Sequence, residues 1–221
     1  MGAASRLIVL LVPLCTQAAC RLRESGRVDT MALQRGPSGP IIRIAILGDA
    51  HDARVSPTRE AIGYWNAKFR RLERRVQFDS GTVRTDSISD AVARAAQSEV
   101  AFGGGPATNR LLAQLSDIPA DIVVVLTHTD LISFSVRWRP GGKGVVALRR
   151  ADIWPLSLPN TVRNVAAHEM GHVLGLTHNS DSTTLMCGRP APCRPVAFVS
   201  ETARFFPLTP EDERWITSRW P

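Results

Sequence analysis

The sequence predicts a mixed fold of helices and short buried strands, and three observations carry that expectation. Compact β-branched apolar runs recur at residues 41–47, 122–126 and 145–148, each the length of a strand buried on both faces. Between and after them lie stretches whose apolar residues repeat at helical spacing. Glycine and proline clusters separate the two kinds of segment.

Taken in order, residues 1–20 read as an export signal. Arg6 supplies the positive end, residues 7–14 are largely apolar, and Ala18-Ala19 precede Cys20. Eight residues are too few to span a bilayer as a helix, and Pro13 interrupts the run. The Ala-Ala-Cys ending resembles a bacterial lipobox, which makes Cys20 a candidate for lipidation and membrane anchoring, although Gln17 stands where that pattern usually has Leu. Residues 21–40 are polar and rich in Arg, Gly, Pro and Ser, the composition of a flexible tether. A domain is then expected over residues 41–221.

Residues 41–47 are the first expected strand. Pro57 opens a helix in which Ile62, Trp65, Phe69, Leu72 and Val76 form a core stripe, so Trp65 is given no cofactor role. Residues 87–101 are ambiguous, with alanines compatible with a helix, and Gly103-Gly104-Gly105-Pro106 ends them. That glycine run is not a nucleotide loop, because no Gly-Lys-Ser/Thr follows. Residues 122–126 and 145–148 are further strands, the latter after a turn at Pro140-Gly141-Gly142. Asn160 or Thr161 is expected to cap a helix running to about Leu174, with Gly175 as its stop. Thr209-Pro210-Glu211-Asp212 opens a last helix.

Composition excludes little. The hydrophobic share of 44% and charged share of 21% are those of a globular protein with a real core. The net charge of +7 is nearly all arginine, Lys68 and Lys143 being the only lysines. The arginines are scattered and no groove-reading motif accompanies them, so nucleic acid is not an expected partner. Beyond the signal region the only cysteines are Cys187 and Cys193, a candidate disulfide in an exported chain.

The chemistry is concentrated in His168-Glu169-Met170-Gly171-His172-Val173-Leu174-Gly175-Leu176-Thr177-His178, which holds three of the five histidines. Helix positions four apart are rotated by only about 40°, so His168 and His172 can lean toward one metal ion. On a continued helix His178 would lie about 15 Å along the axis from His168, too far to join them. Gly175 can take the left-handed conformation that turns the chain back. Three imidazoles with a fourth position open are the donor set of a catalytic Zn2+. Ala166, Met170 and Val173, with Val162 alongside, form an apolar stripe. The two helical histidines point roughly 140° from it, outside that core face. Glu169, beside the metal, is placed to act as general base and then general acid for a water that attacks an amide.

This run resembles the extended zinc signature of the metzincins, and its Gly171 and Leu174-Gly175-Leu176 look like the matrixin branch. Met186, eight residues after His178, matches the methionine turn that supports the zinc site, and Asp181 holds a matching intermediate position. The resemblance implies an α+β, metzincin-like (zincin) catalytic domain: a twisted, mostly parallel sheet with two long helices, then a small C-terminal part with a third helix. It implies one catalytic zinc and a protein or peptide substrate laid along an edge strand, here residues 144–148. It also implies that the loop after Met186 walls a substrate pocket; in this chain that loop contains Cys187 and Cys193, whose disulfide would stiffen it. Phe198, Phe205 and Phe206 either line that pocket or belong to the core.

Departures are equally legible. Asn179 follows His178 where matrixins usually have Ser, and Met186 is followed by Cys187-Gly188 rather than Tyr-Pro. Residues 132–150 contain no acidic residue and no histidine, which argues against accessory metals. The Pro-Arg-Cys-Gly latency motif is missing. His128 sits in a strand-like run and reads as structural, and His51 as a loop residue. The expected protein is an exported, periplasmic or extracellular monomeric zinc endopeptidase. The alternative is a catalytically silent zinc-containing binding module of the same fold.

Overall fold

A computed structural model describes residues 41–138, 142–188, 198–200 and 202–221. The export signal, the tether, Cys20, Pro140, Gly141 and Cys193 lie outside the described residues. Among the described residues seven strands and five helices follow in the order β1 (Ile41–Ile42), β2 (Ile44–Leu47), α1 (Val55–Arg71), β3 (Gln77–Phe78), β4 (Thr82–Arg84), α2 (Asp90–Val100), α3 (Pro106–Gln114), β5 (Ile122–Leu126), β6 (Phe134–Val136), β7 (Gly144–Leu148), α4 (Pro159–Val173) and α5 (Pro210–Arg219). The α+β class and the mostly parallel sheet are as expected.

The main sheet runs β4-β2-β5-β7-β6. Its first four strands are parallel and β6 is antiparallel to β7, with Phe134, Ser135 and Val136 opposite Ala147, Val146 and Val145. Side chains alternate between faces. Ile44, Ile46, Val124, Val146 and Leu148 meet Trp65 and Phe69 of α1 and Val162, Ala166 and Met170 of α4. Ala45, Leu47, Val123, Val125, Val145 and Ala147 meet Ala93 and Ala96 of α2 and Leu111 of α3. Both faces are therefore covered, which is why these strands read as unbroken apolar runs. The pair α2 and α3 is a layer beyond the two helices expected behind the sheet. Pro106 starts α3 at its first turn, where a missing N–H costs nothing, and Glu99 accepts from the main-chain N–H groups of Ala107 and Thr108.

Several expectations need correction. Residues 41–47 form two strands with Arg43 between them, Ile41 and Ile42 pairing with Gln77 and Phe78 while Ile44–Leu47 joins the main sheet. Residues 144–148 are not an edge strand. The antiparallel β6 covers β7 and presents the outer edge itself. Neither Asn160 nor Thr161 caps α4, since Leu158 holds that position ahead of Pro159. Instead the Asn160 amide donates to the Phe198 carbonyl and accepts from the Arg204 N–H, while Asn164 accepts from the Phe206 N–H. These bonds fix the segment that follows the site loop onto α4. Phe198 and Phe206 are core, and Phe205 stacks on Tyr64 at 4.7 Å. His128 is exposed just beyond β5 rather than structural. No helix among the described residues is long and apolar enough to cross a membrane.

The last helix conforms to expectation. The Thr209 side chain accepts from the Asp212 N–H and Asp212 accepts from the Thr209 N–H, a reciprocal cap.

Candidate metal centre

Helix α4 carries the first two histidines and is held in place from three sides. The Trp65 indole N–H of α1 donates to the Ala167 carbonyl at 2.9 Å. Val173 packs against the backbone of β7, where a Cβ on Gly144 would sit 2.4 Å from its Cγ1. Met186 lies under Gly171, where a Cβ would sit 2.7 Å from its sulfur. The helix is buried nearly all round, so the expected division into a core face and a histidine face is too simple. His168 is itself fully buried, Glu169 is buried, His172 is half-buried and His178 is exposed.

The turn after α4 has the form the spacing requires. Gly175 has φ +104°, its N–H donates to the His172 carbonyl, and the Leu176 N–H donates to the Gly171 carbonyl. That pair of bonds is the Schellman ending of a helix. It sends the chain back so that His178 faces the other two rings. The returning loop is closed by Asn179, whose N–H donates to the Met186 carbonyl and whose carbonyl accepts from the Gly188 N–H. Asp181 accepts from the Thr183 N–H and hydroxyl inside the loop, and those bonds hold its carboxyl below the usual carboxylate range. Asn179, noted in the sequence only as a departure, is thus the residue that ties the third histidine to Met186.

The three imidazoles converge. His178 Nε2 is 2.9 Å from His172 Nε2 and 3.3 Å from His168 Nε2. Three nitrogens bound at about 2.0–2.1 Å to a tetrahedral ion would be roughly 3.3 Å apart, so the spacing suits such an ion. The tautomers suit it too. His168 Nδ1 is 2.6 Å from the Leu185 carbonyl oxygen and His172 Nδ1 is 2.8 Å from that of Leu176. A carbonyl only accepts, so each Nδ1 donates a proton and each Nε2 turns a lone pair inward. Carbonyl partners of this kind orient ligating histidines in metal sites. Among the described residues this is the only cluster of three or more His, Cys, Asp or Glu able to hold a metal ion.

Two further residues of the site were not anticipated. Gly188 lies against the His178 ring, and a Cβ there would be 2.4 Å from Cδ2 and 2.5 Å from Nε2. Ser135 of β6 donates its hydroxyl to Glu169 Oε2 at 3.0 Å. Neither carries a sequence signal, since the first is a contact of a ring with a bare Cα and the second joins residues 34 apart. Cys187 is buried and disulfide-bonded.

A family model described as Matrixin (Peptidase_M10) matches residues 123–198, which run from β5 through the three histidines to Phe198. No curated protein matches the chain. Among solved structures, archaemetzincin from Methanopyrus kandleri is similar at 19% identity, over 83% of this chain and 97% of that one, with a TM-score of 0.49.

Proposed function

We propose that this protein is a zinc-dependent endopeptidase, with His168, His172 and His178 as the zinc ligands and Glu169 as general base and then general acid. The observation that carries the reading is the convergence of three imidazole Nε2 atoms beside a buried carboxylate. Three imidazoles suit zinc among the available divalent ions and leave a coordination position open. The matrixin match over the same segment supports it.

When bound, the ion supplies Lewis acidity to the scissile carbonyl and the attacking water. The protein supplies the rest. His168 and His172 are pre-oriented by the Leu185 and Leu176 carbonyls, so their rings need no rearrangement on loading. Glu169 takes the proton of the attacking water and delivers it to the leaving amine. Its burial keeps bulk water from competing for that proton. The substrate is laid along the outer edge of β6 by strand addition.

The buried, disulfide-bonded Cys187 suits an oxidising compartment and so supports export directed by residues 1–20. Anchoring through a lipidated Cys20, with the catalytic domain acting as a monomer outside the cytoplasm, belongs to the same proposal. Cleavage profiling of the purified protein on a peptide library, with and without chelator, tests the activity. Chelator-sensitive internal cleavage is expected, whereas stoichiometric zinc with no cleavage of any peptide would favour a silent binding module.

A further inference from the structure

Strand β6 contributes more than an edge. Its alternation sends Phe134 and Val136 into the apolar layer shared with α2 and α3, which turns Ser135 to the opposite face, toward α4. There the Ser135 hydroxyl meets Glu169 Oε2 at 3.0 Å, with Ser135 8% and Glu169 2% exposed. Two residues on, Arg137 points the same way and its guanidinium donates to the Gly175 carbonyl at 3.3 Å. The strand is therefore pinned to α4 at Glu169 and to the turn that follows it at Gly175.

We infer that Ser135 is a positioning residue for Glu169. This rests on the peptidase reading above. A carboxylate can rotate about its last torsion at little cost. A hydroxyl donated to Oε2 restrains that rotation and so sets the plane in which the carboxylate meets the attacking water. The bond is charge-assisted and buried, the setting in which a hydrogen bond orients most strongly. Because the main chain of the same residue belongs to the outermost strand, the base is set by the element on which the substrate is laid. No proton is transferred through Ser135, which only donates a hydrogen bond.

The test compares Ser135→Thr with Ser135→Val, which match in shape and differ only in the hydroxyl, on a cleaved peptide. Val is expected to lower kcat by about 10- to 100-fold with KM little changed, and Thr to recover most of that loss. In a Glu169→Gln background the Thr and Val variants are expected to differ less than twofold. Zinc content stays stoichiometric in all of them. Equal kcat for Thr and Val, a change in KM alone, or an undiminished difference in the Gln background would overturn the role of Ser135 while leaving the peptidase reading intact. Absence of cleavage by the unsubstituted protein would overturn both. Should Val not fold, Ser135→Ala takes its place with the same expectations.

Discussion

Replacing Gly188 by alanine probes the site through a single methyl group. The backbone at Gly188 does not require glycine on conformational grounds, so alanine adds bulk without strain in the main chain. The new Cβ would stand 2.4, 2.5 and 2.6 Å from three atoms of the His178 ring. Ordinary carbon contacts begin near 3.5 Å, so the ring has to retreat by about 1 Å. Metal–ligand distances tolerate only about 0.2 Å, which means that the retreat removes His178 from the coordination sphere. A four-ligand zinc site is worth about 10–16 kcal/mol, or roughly 2.5–4 kcal/mol per ligand, so zinc affinity should fall by about 100- to 1,000-fold. Competition with a fluorescent chelator reads this directly. Thermal melting of the metal-free protein should change little, because His178 is exposed and contributes little packing. Zinc affinity equal to that of the unsubstituted protein would refute the idea that Gly188 holds the His178 ring in place.

Three further outcomes are expected. Gly175→Ala forces a side chain into φ +104° against Trp215, which should cost about 1–2 kcal/mol in urea denaturation and weaken zinc binding as well. Arg54 is buried and donates to the Thr127, Leu148 and Arg149 carbonyls and to Asp52, so Arg54→Leu should destabilise by about 3–5 kcal/mol without altering the histidines. Burial pushes the Asp52 carboxyl up, but hydrogen bonds and charge from Arg54 outweigh it and hold the group below its ordinary value of 3.8. The lowered value means that the stabilisation is present above about pH 4 and is lost as pH falls through the folded-state value. Asp52→Asn should accordingly flatten the fall in urea midpoint between pH 5 and pH 3.

Local features were legible in the sequence and distant ones were not. The strand at Ile122–Leu126 is bounded as its apolar run is, because both of its faces are covered and nothing polar interrupts it. The turn at Gly175 was legible because spacing and a left-handed residue imply each other. The cap at Thr209 and Asp212 was legible because the bonding residues are three apart. By contrast, β6 is three residues long, too short for its apolar pattern to mark it, and its place beyond β7 is set by antiparallel pairing. Asn160 reads as helix-cap chemistry, yet its amide is bonded to Phe198 and Arg204, about forty residues on. Glu169 could be assigned from its neighbours on the helix. The hydroxyl of Ser135 that meets it depends on tertiary packing alone.

The zinc-peptidase reading stands most directly on Glu169→Gln, which keeps the shape of the side chain and removes the base. Zinc content and peptide cleavage should be measured together on the unsubstituted and substituted proteins. One zinc per chain in both, with cleavage abolished by chelation, restored by zinc and reduced at least about 1,000-fold by the substitution, is the expected result. Substoichiometric zinc in the unsubstituted protein, or cleavage that survives Glu169→Gln, would contradict it.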